Sequence, residues 1–208
     1  MISTEFLVTS LVVVLMPGTG VIYTVTTGLF NGKRASVAAA LGCTAGIVPH
    51  LSACVLGLSA ILHMSALAFQ TIKFAGAAYL LYLAWSLWHD QGALKLTRPA
   101  DKNGFFQIVL KGFLINILNP KLSIFFLAFL PLFVVPGALS PIHQLLILSA
   151  LFMGMTLIIF ICYGMLAGAV CTYVVNSPKA TYWLQRTFAA VFAAMAAKLA
   201  MSELDLVN

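Results

Sequence analysis

Long apolar runs dominate the pattern of hydrophobic and polar positions along the chain. None of the runs alternates with a period of two residues, so they predict helices rather than the short strands of an outer-membrane barrel. Each run approaches or exceeds the roughly 20 residues that a helix needs to cross a bilayer. We therefore predict six membrane spans, at about residues 6–30, 37–62, 66–88, 110–135, 144–173 and 182–204.

Basic residues occur in every second connection between the predicted spans. The connections after the first, third and fifth runs carry Lys33 and Arg34, then Lys95, Arg98, Lys102 and Lys111, then Lys179 and Arg186. The alternate connections, 63–65 and 136–143, contain neither lysine nor arginine. Because positive residues are retained on the cytoplasmic side, this alternation predicts that both termini lie outside.

The longest polar segment, at about 91–109, divides one transmembrane domain of residues 1–208 into halves of about 1–90 and 110–208. Each half contains three predicted spans, so the halves enter the membrane from opposite sides, as they do in inverted-repeat transporters. The predicted fold is an all-α integral membrane bundle of six helices with a 3+3 inverted repeat. Topology permits this repeat, and no wider sequence similarity between the halves supports it.

The first span of each half is interrupted near its middle. The first span contains Pro17-Gly18-Thr19-Gly20, and the fourth contains Asn119-Pro120-Lys121. Proline removes a backbone donor, and the glycines of the first motif permit positive φ, so the motifs predict unwound turns with free backbone groups. A plain proline kink is the alternative. The matching positions favour unwinding, since unwound backbone is tolerated in a membrane beside a cavity.

Lys121 lies near the membrane midplane, roughly 15 Å from Lys111 along a helix. A lysine there costs about 2.5–3.5 kcal/mol, which indicates a function. An amino acid suits the site, since its carboxylate would meet Lys121 and positive helix ends while its ammonium would meet free carbonyls. Alternatively, Lys121 snorkels to a surface and Asn119 caps a half-helix. The predicted substrate-binding residues are Pro17, Gly18, Thr19, Gly20, Asn116, Asn119, Pro120 and Lys121.

Two further ionisable residues lie inside predicted spans. His50 is near the middle of the second span and can carry a proton near neutral pH, so it is the candidate for proton coupling. A hydrogen bond from His50 to a neighbouring helix is an equally good explanation. Lys73, in the third span, is a candidate for an outer vestibule, although it is shallow enough to snorkel.

Composition excludes an ordinary soluble domain. The 208 residues are 62% hydrophobic and 8% charged, whereas soluble domains carry about 25% charged residues. The net charge of +6 reflects topology rather than nucleic-acid binding, because the basic residues lie mostly in the loops. The five carboxylates, Glu5, Asp90, Asp101, Glu203 and Asp205, lie in loops or at the tips of the predicted spans, which disfavours cationic substrates and a carboxylate-based sodium site. Neutral amino acids are therefore the expected substrates.

The cysteines do not indicate a metal centre. Cys43, Cys54, Cys162 and Cys171 lie in apolar runs without C-x-x-C spacing. We interpret them as small packing residues rather than zinc ligands or disulfide partners, and we predict no metal and no cofactor. The first five residues contain no lysine or arginine, so a cleaved signal peptide is not expected.

Motifs in four of the predicted spans match a known family. They are Pro17-Gly18, Gly42-x-x-x-Gly46 with His50, Lys73-x-x-Gly76-Ala77-x-Tyr79-Leu80-x-Tyr82-Leu83, and Asn119-Pro120-Lys121 followed by Phe125-Phe126-Leu127 and Phe129-Leu130-Pro131. With these motifs, nearly the whole chain resembles the lysine exporter superfamily, in its homoserine/threonine exporter (RhtB) branch. Two departures are Thr19, where a second proline is usual, and Leu132, where a glutamine is frequent.

The resemblance implies six spans, a bacterial inner-membrane location and a homodimer, and in that membrane the charge pattern puts both termini in the periplasm. It also implies amino-acid export driven by the proton gradient. Our leading hypothesis is a secondary transporter, not an enzyme, that exports neutral amino acids such as homoserine, threonine or leucine by proton antiport within the lipid bilayer. The alternatives are a thiol-redox carrier using a pair such as Cys54 and Cys162, and an uncoupled channel or interaction subunit.

Overall fold

The computed structural model describes residues 2–16, 18–62, 66–89, 104–135, 139–170 and 177–201, and every regular element in these ranges is helical. The first half contains α1 (Thr4–Leu15), α2 (Thr19–Asn31), α3 (Lys33–Ala45), α4 (Val48–Leu62) and α5 (Ala66–His89). The second half contains α6 (Phe105–Ile117), α7 (Pro120–Ile124), a π-helical turn (Phe125–Phe129), a 3-10 turn (Leu130–Phe133), α8 (Pro141–Met165), α9 (Ala167–Val170) and α10 (Pro178–Met201).

Two helical segments of the described chain are long and apolar enough to cross a membrane. They are Lys33–Gly57, which combines α3 with most of α4, and Pro141–Met165, which is α8. The number rises to four if each of two bent helix pairs is one span. The third and sixth predicted spans coincide with α5 and α10, which are helices of 24 residues each. The helical class is therefore confirmed, and the six-span inverted repeat stays a prediction.

Both lead spans are interrupted where the sequence indicates. The axes of α1 and α2 differ by 54°, and the axes of α6 and the segment Pro120–Phe133 differ by 56°. Met16 and Gly18 have extended backbone on either side of Pro17, which itself lies outside the described residues. A break of extended backbone differs from a simple kink, in which the helix would continue through the proline.

The glycines of the first break do not act through positive φ. Gly18 has φ −121° and ψ −173°, an extended conformation that any residue adopts. Within the described ranges the positive-φ residue is Gly32, with φ 87°, which separates α2 from α3. The predicted unwinding is therefore present, and the prediction that it uses positive φ is wrong for Gly18. A close contact explains Gly20, where an added methyl group would lie 2.8 Å from Asn116 Oδ1, whereas one at Gly18 would lie at an ordinary distance of 3.5 Å from Lys121 Nζ.

Helix α3 packs against α2, α6 and α8 and so occupies the centre of the bundle. Glycines let α3 and α6 approach closely: a methyl group at Gly42 would collide with the Val109 backbone, and one at Gly46 would lie 2.7 Å from the Phe113 carbonyl oxygen. Gly42-x-x-x-Gly46 therefore has a packing role between the two helices. Helices α5 and α10 pack mainly against each other.

Most helices begin before the predicted spans, and polar caps explain the early starts of α6 and α8. Helix α6 begins at Phe105 instead of near residue 110, so the predicted loop 91–109 is too long at its end. Gly104 precedes the helix in extended conformation, and the Gln107 side chain accepts a hydrogen bond from its amide. Helix α8 begins at Pro141, capped by the Ser140 hydroxyl, rather than at Gln144. In both cases a polar cap extends the helix beyond the apolar run.

The cysteine prediction holds for two residues. Cys43 and Cys54 are buried and Cys162 is exposed, and all three carry free thiols. Cys162 is therefore not a packing residue of the described core, because helix α8 turns it outward. Cys171 lies outside the described residues.

Candidate functional site

The first break leaves a backbone carbonyl without its helical partner. The last regular bond of α1 runs from the Met16 amide to the Val12 carbonyl, at 3.1 Å. The next carbonyl, that of Val13, would accept from residue 17, but residue 17 is a proline and has no amide hydrogen. A buried carbonyl without a donor is costly, so another group must supply one.

Lys121 supplies that donor from the second break. Its Nζ lies 2.9 Å from the Val13 carbonyl oxygen and 3.5 Å from the Met16 carbonyl oxygen. The ammonium thus sits at the C-terminal end of α1, where the helix dipole favours positive charge. The Tyr163 hydroxyl donates to the Leu15 carbonyl at 2.7 Å. Side chains from the second half of the chain therefore satisfy the carbonyls that the first break frees.

The two asparagines tie the second break together. The Asn119 side-chain oxygen accepts from the Lys121 amide at 3.1 Å, and its Nδ2 donates to Asn116 Oδ1 at 3.4 Å. The Asn116 amide in turn donates to the Cys43 carbonyl of α3 at 2.7 Å. The alternative that Asn119 caps a half-helix is confirmed. The snorkelling of Lys121 is wrong, because its ammonium turns inward to the first break.

His50 is buried next to the second break. Its Nε2 lies 3.0 Å from the Asn116 carbonyl oxygen, and its Nδ1 lies 3.3 Å from Ser123 Oγ. A carbonyl only accepts, so Nε2 carries a hydrogen and Nδ1 is left to accept from the serine in the neutral ring. The ring also stacks on Phe126 at 6.4 Å between centroids. His50 thus makes the interhelical hydrogen bond that was its alternative role, at a place where a change of protonation would act on the break.

The two breaks line one cavity. Five predicted residues line it: Gly18, Gly20, Asn116, Asn119 and Lys121. Thr19 and Pro120 are exposed and lie outside its wall. The volume of the cavity that the centre of a water molecule can occupy is about 20 Å³. This is room for about one water. The described conformation therefore has too little room between the breaks for an amino acid.

The remaining predicted residues are His50, Lys73 and Pro17. His50 does not line the cavity, but it bonds Asn116 directly and is linked to Asn119 through the Ser123 hydroxyl. Lys73 lies within helix α5, and its side chain is outside the described set. Pro17 is likewise outside the described residues.

Sequence reasoning missed the wall contributed by α8. Phe152, Thr156 and Phe160 line the cavity, together with Val13, Val14, Val21 and Leu122. The signal was a stripe of hydroxyl groups at seven-residue spacing along an otherwise apolar helix, formed by Ser149, Thr156 and Tyr163. Side chains seven residues apart share one helix face, so this stripe marks the face that turns to the breaks.

Comparison with known families matches almost the whole chain. The profile of the LysE type translocator family matches residues 11–203. The chain belongs to this family. It is therefore a transporter rather than an enzyme, and a multi-pass membrane protein.

Two of three similar proteins carry the name of an efflux protein. The chain is 31% identical to the homoserine/homoserine lactone efflux protein of Salmonella typhimurium over 94% of each chain. It is 32% identical to an uncharacterized membrane protein of Vibrio cholerae over 90% of each chain. It is 24% identical to the leucine efflux protein of Klebsiella pneumoniae, over 94% of this chain and 92% of the relative. No solved structure matches.

Proposed function

We propose that this protein exports neutral amino acids or close analogues, such as homoserine, threonine or leucine, across the bacterial inner membrane by proton antiport. The observation that carries the proposal is the Lys121 ammonium on the orphaned Val13 carbonyl, inside a cavity that both breaks line. The names of the Salmonella and Klebsiella relatives, which are a homoserine and a leucine efflux protein, support the same class of substrate.

An amino acid would bind by exchanging partners with Lys121. Its carboxylate would pair with the ammonium and approach the N-terminus of α2, where Gly18 provides no side-chain cap and the helix dipole favours an anion. Its own ammonium would take the Val13 and Met16 carbonyls that Lys121 releases. Every charged group would keep a partner during the exchange, so no bare charge is left at the membrane centre.

The exchange requires the cavity to widen. Room for about one water does not admit an amino acid, so the half-helices on either side of the breaks must move apart. Unwound backbone at Met16 and Gly18 provides hinges for such motion. Movement of one half against the other around a fixed central site is the alternating access of secondary transporters.

His50 is the residue that we propose for proton coupling. Protonation of Nδ1 would prevent it from accepting the Ser123 hydrogen, so the serine hydroxyl would turn towards the Asn119 carbonyl, which lies 3.5 Å from Oγ. Asn119 belongs to the second break. A change in the protonation of His50 would therefore alter a hydrogen bond at the substrate site through the Ser123 hydroxyl. Lys121, two residues before Ser123, is the charged group on the same segment.

The proposal is tested by counterflow in proteoliposomes, since a passive channel cannot concentrate label against unlabelled substrate. Homoserine and homoserine lactone are compared because the lactone lacks the free carboxylate. We expect Lys121→Met to lower homoserine counterflow at least about tenfold, equivalent to about 1.4 kcal/mol, and to affect the lactone much less. Lys111→Met is the matched control, since Lys111 is on the exposed side of α6.

Two results would count against the proposal. Absence of counterflow by the wild-type protein with every neutral amino acid would exclude this carrier function. An equal loss of homoserine and lactone transport in Lys121→Met would exclude the carboxylate pairing, because that pairing exists for homoserine alone.

A further inference from the structure

We infer that α8 forms the side-chain subsite of the transporter, with Thr156 and Phe160 as its specificity-determining residues. The inference rests on the proposed transport of amino acids. The cavity has two unlike walls: α6 and α7 contribute Asn116, Asn119 and Lys121, whereas α8 contributes two aromatic rings and one hydroxyl. If the charged groups of an amino acid occupy the polar wall, its side chain faces α8.

Phe160 sets the depth of the subsite. A methyl group at Gly20 would lie 3.0 and 3.3 Å from two carbons of the Phe160 ring and 2.8 Å from Asn116 Oδ1. The ring therefore rests against the α2 backbone and closes the space between α2 and α8. A smaller side chain at position 160 would open this space to longer apolar groups.

Thr156 supplies one polar atom to the α8 wall. It is 3% exposed, and its hydroxyl donates to the Phe152 carbonyl of its own helix at 2.8 Å. A hydroxyl that donates its hydrogen keeps acceptor capacity on the oxygen. The subsite therefore offers an acceptor without a free donor, which suits a substrate side chain that ends in a hydroxyl.

Phe152 fixes the remaining side of the subsite. Its ring stacks on Phe125 with centroids 4.6 Å apart and meets Phe126 edge-on at 5.4 Å. Aromatic contacts on two sides hold the ring in place. None of the side chains that line the cavity in the described part of the chain is acidic. The subsite thus fits a short, uncharged side chain with one hydroxyl donor.

The test compares homoserine with norvaline, which replaces the terminal hydroxyl by a methyl group. The wild-type protein should prefer homoserine in counterflow. Thr156→Val keeps the shape but removes the acceptor, so we expect the homoserine-to-norvaline ratio to fall about tenfold. Thr156→Ser should restore the ratio. Thr187→Val is the matched control, because Thr187 makes the same bond to its own helix at 2.9 Å on an exposed face.

A second variant tests the depth of the subsite independently. Phe160→Leu should raise phenylalanine counterflow relative to homoserine severalfold, since the opened space admits a longer side chain. Phe106→Leu, at a ring that is 74% exposed, should leave this preference unchanged.

The outcomes separate the two proposals. Wild-type counterflow with both ratios unchanged in the Thr156 and Phe160 variants overturns the subsite and leaves the transport function standing. No wild-type counterflow with any amino acid overturns the transport function, and the subsite with it.

Discussion

At the scale of single residues, a lysine side chain replaces a backbone hydrogen bond that a proline cannot make. Pro17 cannot donate to the Val13 carbonyl, and Lys121 donates instead, from a position 108 residues away. Burying a lone carbonyl or a lone ammonium is unfavourable, and the hydrogen bond between them offsets part of both costs. In the proposed exchange, the ammonium and the carboxylate of a substrate would each take one of these two partners. The same groups would then stabilise the empty site and bind a zwitterion.

The hydrogen bonds of His50 lead to a prediction about energy coupling. His50→Gln should retain counterflow, which needs no gradient, while losing most of the stimulation that an imposed pH gradient gives to net flux. Ser123→Ala should weaken that stimulation, and Ser123→Thr should restore it, since threonine keeps the hydroxyl that faces Nδ1 at 3.3 Å. Both fluxes are measured in the same proteoliposomes. Full gradient stimulation in His50→Gln would exclude His50 as the coupling group.

At the scale of elements, the crossing of α3 and α6 holds the second break in position. Gly112 of α6 lies so close to α3 that a methyl group there would be 2.9 Å from the Ala39 carbonyl oxygen. The same crossing carries the bond from Asn116 to the Cys43 carbonyl. Close backbone approach is a main source of helix association in a bilayer, where lipid is as apolar as the side chains. The crossing therefore supports both the fold and the site.

Glycine substitutions test the crossing. Gly42→Ala should destabilise the protein by about 1–3 kcal/mol, because the added methyl meets the Val109 backbone, which cannot rotate away. Gly57→Ala is the control, since nothing lies within 4 Å of its added methyl group. The measurement is the temperature of half-loss of monodisperse protein in detergent. Equal stability of the two variants would contradict the packing role of Gly42.

At the scale of the whole molecule, the cavity joins elements that are far apart in the chain. Its wall combines the first break, the second break and the middle of α8. A site between two interrupted helices changes shape when either half moves. In the proposed transport cycle, widening of the breaks and access to the site would therefore be the same motion.

The predicted orientation of the molecule can be tested by labelling single cysteines in a cysteine-free background. Leu139→Cys should react with a membrane-impermeant maleimide in intact spheroplasts, because the connection that contains it is predicted to lie outside. Lys33→Cys should react only after permeabilisation. Both side chains are exposed in the structure, so a difference in labelling reports sidedness rather than burial. The reverse pattern would contradict the positive-inside prediction.

Much of the framework could be predicted from sequence, because it depends on local chemistry. The helical segments follow from apolar runs that leave backbone groups no partner except their own helix. The two breaks follow from Pro17 and Pro120, which cannot donate a backbone hydrogen bond. The predicted positions of helix ends were less accurate, as at Phe105, because polar caps extend helices beyond their apolar runs.

The sequence by itself determined where the helices break and that a charge lies at one break. Only the tertiary structure decided what the charge meets and which face of α8 lines the cavity. The physical reason is the solvent: lipid is as apolar as the core, so a membrane helix shows little difference between its lipid face and its buried face. The partnership of Lys121 with Val13 also depends on how distant segments pack. A pattern along the chain records local hydrogen-bonding capacity, and packing decides which distant group satisfies it.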